Sequence, residues 1–167
     1  MDKVDKVNNL SKSAFMSIFG NVFEKTDWIA EKAFNLKPFS NLNDLKKNFL
    51  GIYDNCSNDQ YLKIFNSHPQ LAIEKIMTKY SKKEQHESNL DNCTKEELEE
   101  FTKLNEYYKK KFNFPFIMAV TSFNKKQILD SFRYRIKKNI NEEFNKAKIQ
   151  VKKIGNIRLE QILNNNL

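Results

Sequence analysis

The chain has 167 residues, enough for one domain with a sizeable core, to which 14 Phe and 6 Tyr give bulk. Because only 3 Gly and 3 Pro are present to break helices, we expect a mostly helical fold. Two cysteines are too few for a disulfide framework, no apolar run is long enough to cross a membrane, and the N-terminus lacks a secretory signal, so we expect a cytoplasmic protein. The net charge of +8 does not indicate a nucleic-acid partner, because lysine and glutamate are interleaved along most helices and no nucleic-acid-binding motif is present.

Hydrophobic periodicity predicts four helices before residue 68. Their apolar positions are Phe15, Ile18, Phe19, Val22 and Phe23; Trp28, Ile29, Ala33 and Phe34; Leu45, Phe49, Leu50 and Tyr53; and Tyr61, Leu62, Ile64 and Phe65. Ser11 or Ser13 can cap the first helix, Asn43 the third and Asn58 the fourth. The fourth must stop at Ser67-His68, because Pro69 disfavours the α conformation in the residue before it.

A further helix can begin with Pro69 at its first position and carry Leu71, Ala72, Ile76 and Met77. Ser81 to Glu84 and Thr94 to Glu97 both have capping-box spacing, and the second box opens a long helix through Tyr108. Residues 112–120 break the helical pattern and are apolar, which predicts an extended buried stretch. Two helices follow, one through Ile128, Leu129, Phe132 and Ile136, and a last one of about 25 residues.

Arg158 lies on the apolar face of the last predicted helix. Phe144, Ala147, Val151, Ile154 and Ile162 form a single stripe at 100° per residue, and Arg158 falls in its middle. A buried guanidinium needs a partner, because its unpaired desolvation costs several kcal/mol. Three arrangements would satisfy the guanidinium: an internal ion pair with a buried Asp or Glu, an Arg158 side chain that extends to water, or a planar ligand held by two hydrogen bonds.

Two histidines and one glutamate are the candidates for acid–base chemistry. His68 lies at a helix junction fixed by Pro69, with apolar residues on both sides, so its ring can serve either a pocket or the core. His86 is surrounded by polar residues, which indicates solvated surface. Glu84 has a structural explanation as the third residue after Ser81 in a capping box.

The apolar stretch offers backbone groups rather than side chains. A buried non-helical backbone must find partners for its N–H and C=O groups, and a flat heterocycle with amide edges could supply them, although a buried connector is the simpler interpretation. No phosphate loop, metal cluster or nucleophilic triad is present, so a reaction here should need neither cofactor nor metal.

Four motifs in this order resemble the OHCU (2-oxo-4-hydroxy-4-carboxy-5-ureidoimidazoline) decarboxylase family. They are Ser67-His68-Pro69-Gln70-Leu71-Ala72; Ser81-Lys82-Lys83-Glu84-Gln85; Phe101 to Tyr107 running into Lys111 to Ile117; and Lys153 to Leu159. Val22-Phe23-Glu24 and Trp28 to Glu31 also match, so the resemblance covers about residues 10–164 of a single 167-residue domain.

The resemblance implies an all-α, single-domain helical bundle, usually a homodimer, that converts a urate-derived ureidoimidazoline acid to (S)-allantoin and carbon dioxide. By this resemblance His68 and Glu84 are catalytic and Arg158 binds substrate. The other pocket residues that it implies are Pro69, Ser81, Gln85, Phe116, Ile117, Met118, Ala119 and Val120.

The chain departs from the family pattern at three places. Gln70 stands where the family usually has Asp, Asn113 stands where it usually has Gly, and the span from His68 to Glu84 is about four residues short. Asn113 can preserve a left-handed backbone turn, because Asn tolerates that conformation best after Gly. The loss of a carboxylate at position 70 should affect the pKa of His68.

Two alternatives to this function remain open. One is an inactive helical interaction module of the same fold, and the other is an enzyme that acts on a related ureide. Retention of His68, Glu84 and Arg158 together disfavours the first. The last residues, Asn165, Asn166 and Leu167, are a poor peroxisomal signal.

Overall fold

The computed structural model describes residues 1–165, which contain nine α-helices and no β-strand. The helices are α1 (Lys3–Asn8), α2 (Lys12–Phe19), α3 (Asp27–Phe34), α4 (Leu42–Asp54), α5 (Asn58–Ser67), α6 (Lys79–Glu87), α7 (Lys95–Phe112), α8 (Lys125–Arg135) and α9 (Ile140–Asn165). The predicted all-α class is confirmed. The last two residues of the tail, Asn166 and Leu167, lie outside the described residues.

The chain divides into two compact units, and α9 contributes to both. Unit 1 contains Met1–Ile64 and α9 from Lys152 onward, and unit 2 contains Phe65–Val151. Nearly all of the residues to which the resemblance assigns a role belong to unit 2, whereas Arg158 belongs to unit 1.

Aromatic side chains form the core of unit 1. Phe15, Phe19 and Phe49 are fully buried, and the ring of Phe23 stacks on that of Tyr53 with centroids 4.9 Å apart. Gly155 lets α9 approach this core, because a Cβ at its position would lie 2.7 Å from the Phe23 ring. Of the predicted apolar stripe of α9, Ala147, Val151, Ile154 and Ile162 are buried, and Phe144 is partly exposed.

Unit 2 has a second aromatic core, built around Tyr108 of α7. The rings of Phe116 and Phe132 stack with centroids 3.9 Å apart, and the Tyr108 ring meets Phe116 edge-on at 5.4 Å. Asn113 ends α7 with φ of 63°, so the predicted left-handed turn is confirmed. Residues 115–120 are neither helix nor turn, and all but Met118 are buried. The predicted non-helical, buried stretch of residues 112–120 is thus confirmed for residues 115–120, whereas Phe112 is still the last residue of α7 and Asn113 is exposed.

Several helix boundaries differ from the sequence predictions. The Ser11 cap and the Thr94–Glu97 capping box are confirmed. Asn41, rather than Asn43, caps α4. In front of α5 the Ser57 hydroxyl accepts from the Gln60 N–H, so Asn58 is the first helical residue and not the cap. The short α1 was not anticipated.

The predicted helix that begins at Pro69 is wrong. Residues 68–78 form an irregular connection in which Ala72 has φ of 68°, a left-handed conformation incompatible with a helix. The Ala72 N–H donates to Gln85 Oε1 at 3.0 Å, and the Leu71 carbonyl accepts from Asn105 Nδ2 at 3.0 Å. These side-chain bonds satisfy backbone groups that a helix would have paired, so tertiary contacts override the local signal.

Candidate active site

His68 lies one residue beyond the end of α5, where Pro69 was expected to stop the helix. Its backbone N–H donates to the Phe65 carbonyl at 3.1 Å, and only 8% of the residue is exposed. The ring therefore belongs to the interior of unit 2 rather than to the surface. His86, by contrast, is exposed and pairs with Asp91 at 2.5 Å, as its polar surroundings predict.

Helix α6 carries Ser81, Glu84 and Gln85. Thr78 caps this helix by accepting from the Ser81 N–H, which makes Ser81 its third residue. The prediction that Ser81 opens a capping box with Glu84 is therefore wrong. Glu84 consequently has no structural role as the third residue of such a box. Ser81 and Gln85 lie one turn apart and are both buried, whereas Glu84 is partly exposed.

Gln85 links α6 to the connection that follows His68. Its Oε1 accepts from the Ala72 N–H, and its buried Nε2 has no hydrogen-bond acceptor among residues 1–165. Buried amide nitrogens are rarely left unsatisfied, because the missing bond costs about 1–3 kcal/mol. Nε2 is thus suited to donate to a bound molecule.

Asn105 was not singled out from the sequence, although it holds the same connection from α7. Its Nδ2 donates to the carbonyls of Leu71 and Phe101, and the residue is 1% exposed. An asparagine four residues after Phe101 on the apolar face of a predicted helix was the signal that could have revealed it.

Residues 116–120, called the wall segment below, are fixed by side chains from three parts of unit 2. The Ile117 carbonyl accepts from Arg135 Nη1 at 2.8 Å, and the Ala119 N–H donates to Gln150 Oε1 at 2.9 Å. The Val120 carbonyl accepts from the Ser88 hydroxyl at 2.9 Å. Protein groups therefore satisfy part of the backbone that we expected a ligand to meet.

A buried ionic network supports the wall segment. Arg135 bonds both carboxylate oxygens of Glu143 at 2.9 to 3.1 Å, and Tyr108 donates its hydroxyl to Glu143 Oε2 at 2.9 Å. The guanidinium carbon also lies 4.3 Å from the Phe116 ring centroid. Burial, and then the Glu143 charge, raise the pKa of Tyr108 far above its ordinary value, which keeps the phenol protonated as a donor.

Sequence reasoning missed Arg135, although the signal was present. Ile128, Phe132 and Arg135 recur at helical spacing, so Arg135 interrupts an apolar face just as Arg158 does. A guanidinium on an apolar helix face needs a buried partner at either position.

Arg158 lies in unit 1 and is completely buried. Its Nη2 donates to Glu24 Oε2 at 3.2 Å, and its Nη1 donates to the Asn21 carbonyl at 3.1 Å. Glu24 is also fully buried, so the internal ion pair that the sequence left open has its carboxylate. The predicted burial of Arg158 is confirmed, and its role toward a substrate stays a prediction.

Two further properties bear on function. Among residues 1–165 there is no group of three or more His, Cys, Asp or Glu placed to hold a metal ion. No helix in that part of the chain is both long enough and apolar enough to cross a membrane.

Comparison with known proteins gives consistent matches. The family model for OHCU decarboxylase matches residues 8–160. A 2-oxo-4-hydroxy-4-carboxy-5-ureidoimidazoline decarboxylase of Haloferax volcanii is 32% identical over 158 residues, covering 95% of this chain and 94% of its own. The Bos taurus protein of the same name is 30% identical, covering 96% of both chains.

Two other similar proteins are longer than this chain, and a third has a similar length. A uric acid degradation bifunctional protein of a Bacillus species is 35% identical over 97% of this chain, which spans 32% of the bifunctional protein. The crystal structure of an (S)-allantoin synthase aligns with a TM-score of 0.76 and 26% identity, over 95% of this chain and 53% of that one. An OHCU decarboxylase crystallised in the presence of (S)-allantoin aligns with a TM-score of 0.73 over 93% of this chain and 100% of its own, and at 18% identity it supports the fold alone.

Proposed function

Because the chain belongs to the OHCU decarboxylase family, we propose that it decarboxylates 2-oxo-4-hydroxy-4-carboxy-5-ureidoimidazoline to (S)-allantoin and carbon dioxide in urate degradation. One observation carries this proposal: the match over residues 8–160 includes His68, Glu84 and Arg158, to which the resemblance assigns roles. The burial of His68 and the unsatisfied Gln85 Nε2 support a polar ligand in unit 2.

The substrate can supply its own electron sink. When the bond to the carboxylate breaks and carbon dioxide leaves, the electron pair forms a double bond to the ureido-bearing carbon. The electrons of the adjacent C=N bond then move to the ring nitrogen, which takes up a proton. Protonation of the ureido-bearing carbon on one face, with the ring hydroxyl becoming a carbonyl, then gives (S)-allantoin. The protein has only to hold the ring, direct the proton and discriminate between faces, so no cofactor is required.

We assign roles to side chains as follows. His68, oriented by Glu84, assists at the carboxylate-bearing centre by hydrogen bonding or proton transfer. Gln85 donates through Nε2, and the backbone of the wall segment pairs with amide edges of the substrate, with Pro69 and Ser81 as pocket lining. Arg158 binds the planar substrate through its guanidinium.

The test generates the substrate in situ from urate and follows the chirality of allantoin by circular dichroism. We expect rapid accumulation of (S)-allantoin with the parent protein and at least about a hundredfold slower formation with His68→Asn, which removes the imidazole that acts in acid–base catalysis. The substrate also decays spontaneously to racemic allantoin, so the product of the variant should drift toward the racemate.

The second histidine provides a matched control. His86→Asn makes the same substitution at an exposed position and should leave the rate unchanged. A full (S)-allantoin signal at parental speed from His68→Asn would remove His68 from the mechanism, and a lower melting temperature with unchanged turnover would make it structural.

We also propose a homodimer in the cytoplasm. The family resemblance implies the dimer, and exposed apolar side chains such as Tyr107 and Tyr134 leave surface to cover. Light scattering at micromolar concentration should give twice the chain mass, and a monomer mass would contradict this expectation. Fractionation of the source cells tests the location.

A further inference from the structure

Two anchors of the wall segment act on neighbouring peptide groups. Arg135 bonds the Ile117 carbonyl, and Gln150 bonds the Ala119 N–H. Met118 lies between these two residues. Its own N–H shares a peptide plane with the Ile117 carbonyl, and its own carbonyl shares a plane with the Ala119 N–H.

A trans peptide fixes where the Met118 groups point. The cis peptide found in residues 1–165 is Lys37-Pro38, so both peptides beside Met118 are trans. In a trans peptide the C=O and N–H bonds point in opposite directions. The Met118 N–H is therefore directed away from Arg135, and the Met118 carbonyl is directed away from Gln150.

The backbone N–H and C=O of Met118 also make no hydrogen bond to residues 1–165. Met118 is the partly exposed residue of an otherwise buried segment. A donor and an acceptor on one residue match the paired N–H and C=O of a cyclic amide or urea edge. That edge is present in the ureidoimidazoline ring.

We propose that Arg135 and Gln150 are positioning residues, which orient the Met118 N–H and C=O as a donor–acceptor pair for the amide edge of the substrate. The identity of that substrate rests on the proposed function above. Arg135 is locked in turn by the two-pronged contact with Glu143 and by the Phe116 ring. Gln150 acts alone on Ala119, which makes it the residue to test.

Gln150→Met removes the acceptor but keeps the length and the apolar stem of the side chain, whereas Gln150→Glu keeps an acceptor at the same place. Ser88→Ala is the matched control on the wall segment, because the Val120 carbonyl also accepts from the Phe123 N–H at 3.0 Å. Gln161→Met makes the same substitution further along α9.

We expect Gln150→Met to speed hydrogen exchange of the Ala119 amide and to lower kcat/KM for (S)-allantoin formation at least tenfold. Gln150→Glu should restore both quantities substantially. Ser88→Ala and Gln161→Met should stay within threefold of the parent. Unchanged exchange at Ala119, or unchanged kcat/KM when that exchange is faster, would overturn the proposal.

A titration of the parent protein separates this inference from the proposed function and needs no variant to fold. On addition of (S)-allantoin, the NMR signal of the Met118 amide should shift, and the Ala119 amide should stay protected. If the parent makes no (S)-allantoin from urate but the Met118 amide responds, the decarboxylase proposal fails and the positioning inference stands. If the parent is active and the Met118 amide does not respond, the inference fails alone.

Discussion

Two buried arginine–glutamate pairs lie in different units of the chain, and their geometries differ. Arg135 contacts both oxygens of Glu143, a backbone carbonyl and an aromatic face, all within unit 2. Arg158 contacts Glu24 through Nη2 at 3.2 Å and the Asn21 carbonyl through Nη1. Arg135 thus acts as a structural brace for the wall segment. Arg158, by contrast, is the arginine to which the family resemblance assigns a substrate. Burial alone does not separate the two roles.

Removal of Arg135 should have the largest effect on stability. Arg135→Met leaves Glu143 as an uncompensated buried charge and should lower the free energy of unfolding by about 3–5 kcal/mol, measured by urea denaturation. The double variant Arg135→Met with Glu143→Leu should recover most of this loss, because it removes both charges together. A double variant as unstable as the single one would show that the Ile117 carbonyl, rather than the ion pair, dominates.

Arg158→Lys should chiefly affect activity. Lysine keeps the charge near Glu24 but cannot make two parallel hydrogen bonds to a planar partner, so formation of (S)-allantoin should fall by at least about tenfold while the fold persists. Arg133→Lys, at the exposed third arginine, is the control and should behave as the parent. If Arg158→Lys retains parental activity, Arg158 is a brace like Arg135 and the contrast between the pairs disappears.

An exposed pair should show the smallest effect. The hydrogen bond that His86 Nδ1 donates to the Asp91 carboxylate raises the pKa of His86 and lowers the pKa of Asp91. The contribution of His86 to the stability of the folded state is complete below the pKa that His86 has in the unfolded chain. It is lost as the pH rises through the raised pKa of the folded state. The Asp91 contribution is lost as pH falls through its lowered value, so the pair is fully formed between about pH 4 and 6.5.

Substitution of Asp91 by Asn should bring the pKa of His86 back toward its ordinary value in an NMR titration and should barely change the melting temperature. The buried pairs differ in this respect, because water does not screen them. A large loss of stability in Asp91→Asn would contradict the ranking by burial.

The sequence was sufficient where one local rule acts. The Arg158 stripe, the Thr94 capping box and the Asn113 turn each follow from helical spacing or from backbone preference, and all three are confirmed. The stop of α5 before Pro69 also follows from a steric rule. These features need no knowledge of distant residues.

The sequence was insufficient where distant groups satisfy the backbone. The connection after His68 was predicted as a helix because the residues that hold it in another conformation are distant in sequence. Ala72 bonds Gln85, 13 residues away, and Leu71 bonds Asn105, 34 residues away. Gln150 was missed because it bonds a residue 31 positions away. Propensity and periodicity describe near neighbours, and these contacts have no near-neighbour signal.

The left-handed turn at Asn113 restricts which mutations this chain can accept. Asn, Asp and Gly are the residues that adopt a φ of 63° at low cost, and their codons AAT, GAT and GGT form a path of single-nucleotide changes. A lineage can therefore pass between asparagine and glycine at position 113 without an intermediate that strains the turn. Threonine, serine and isoleucine are also one nucleotide change from asparagine. In a saturation library at position 113 selected for folded protein, the β-branched threonine and isoleucine should be depleted most strongly.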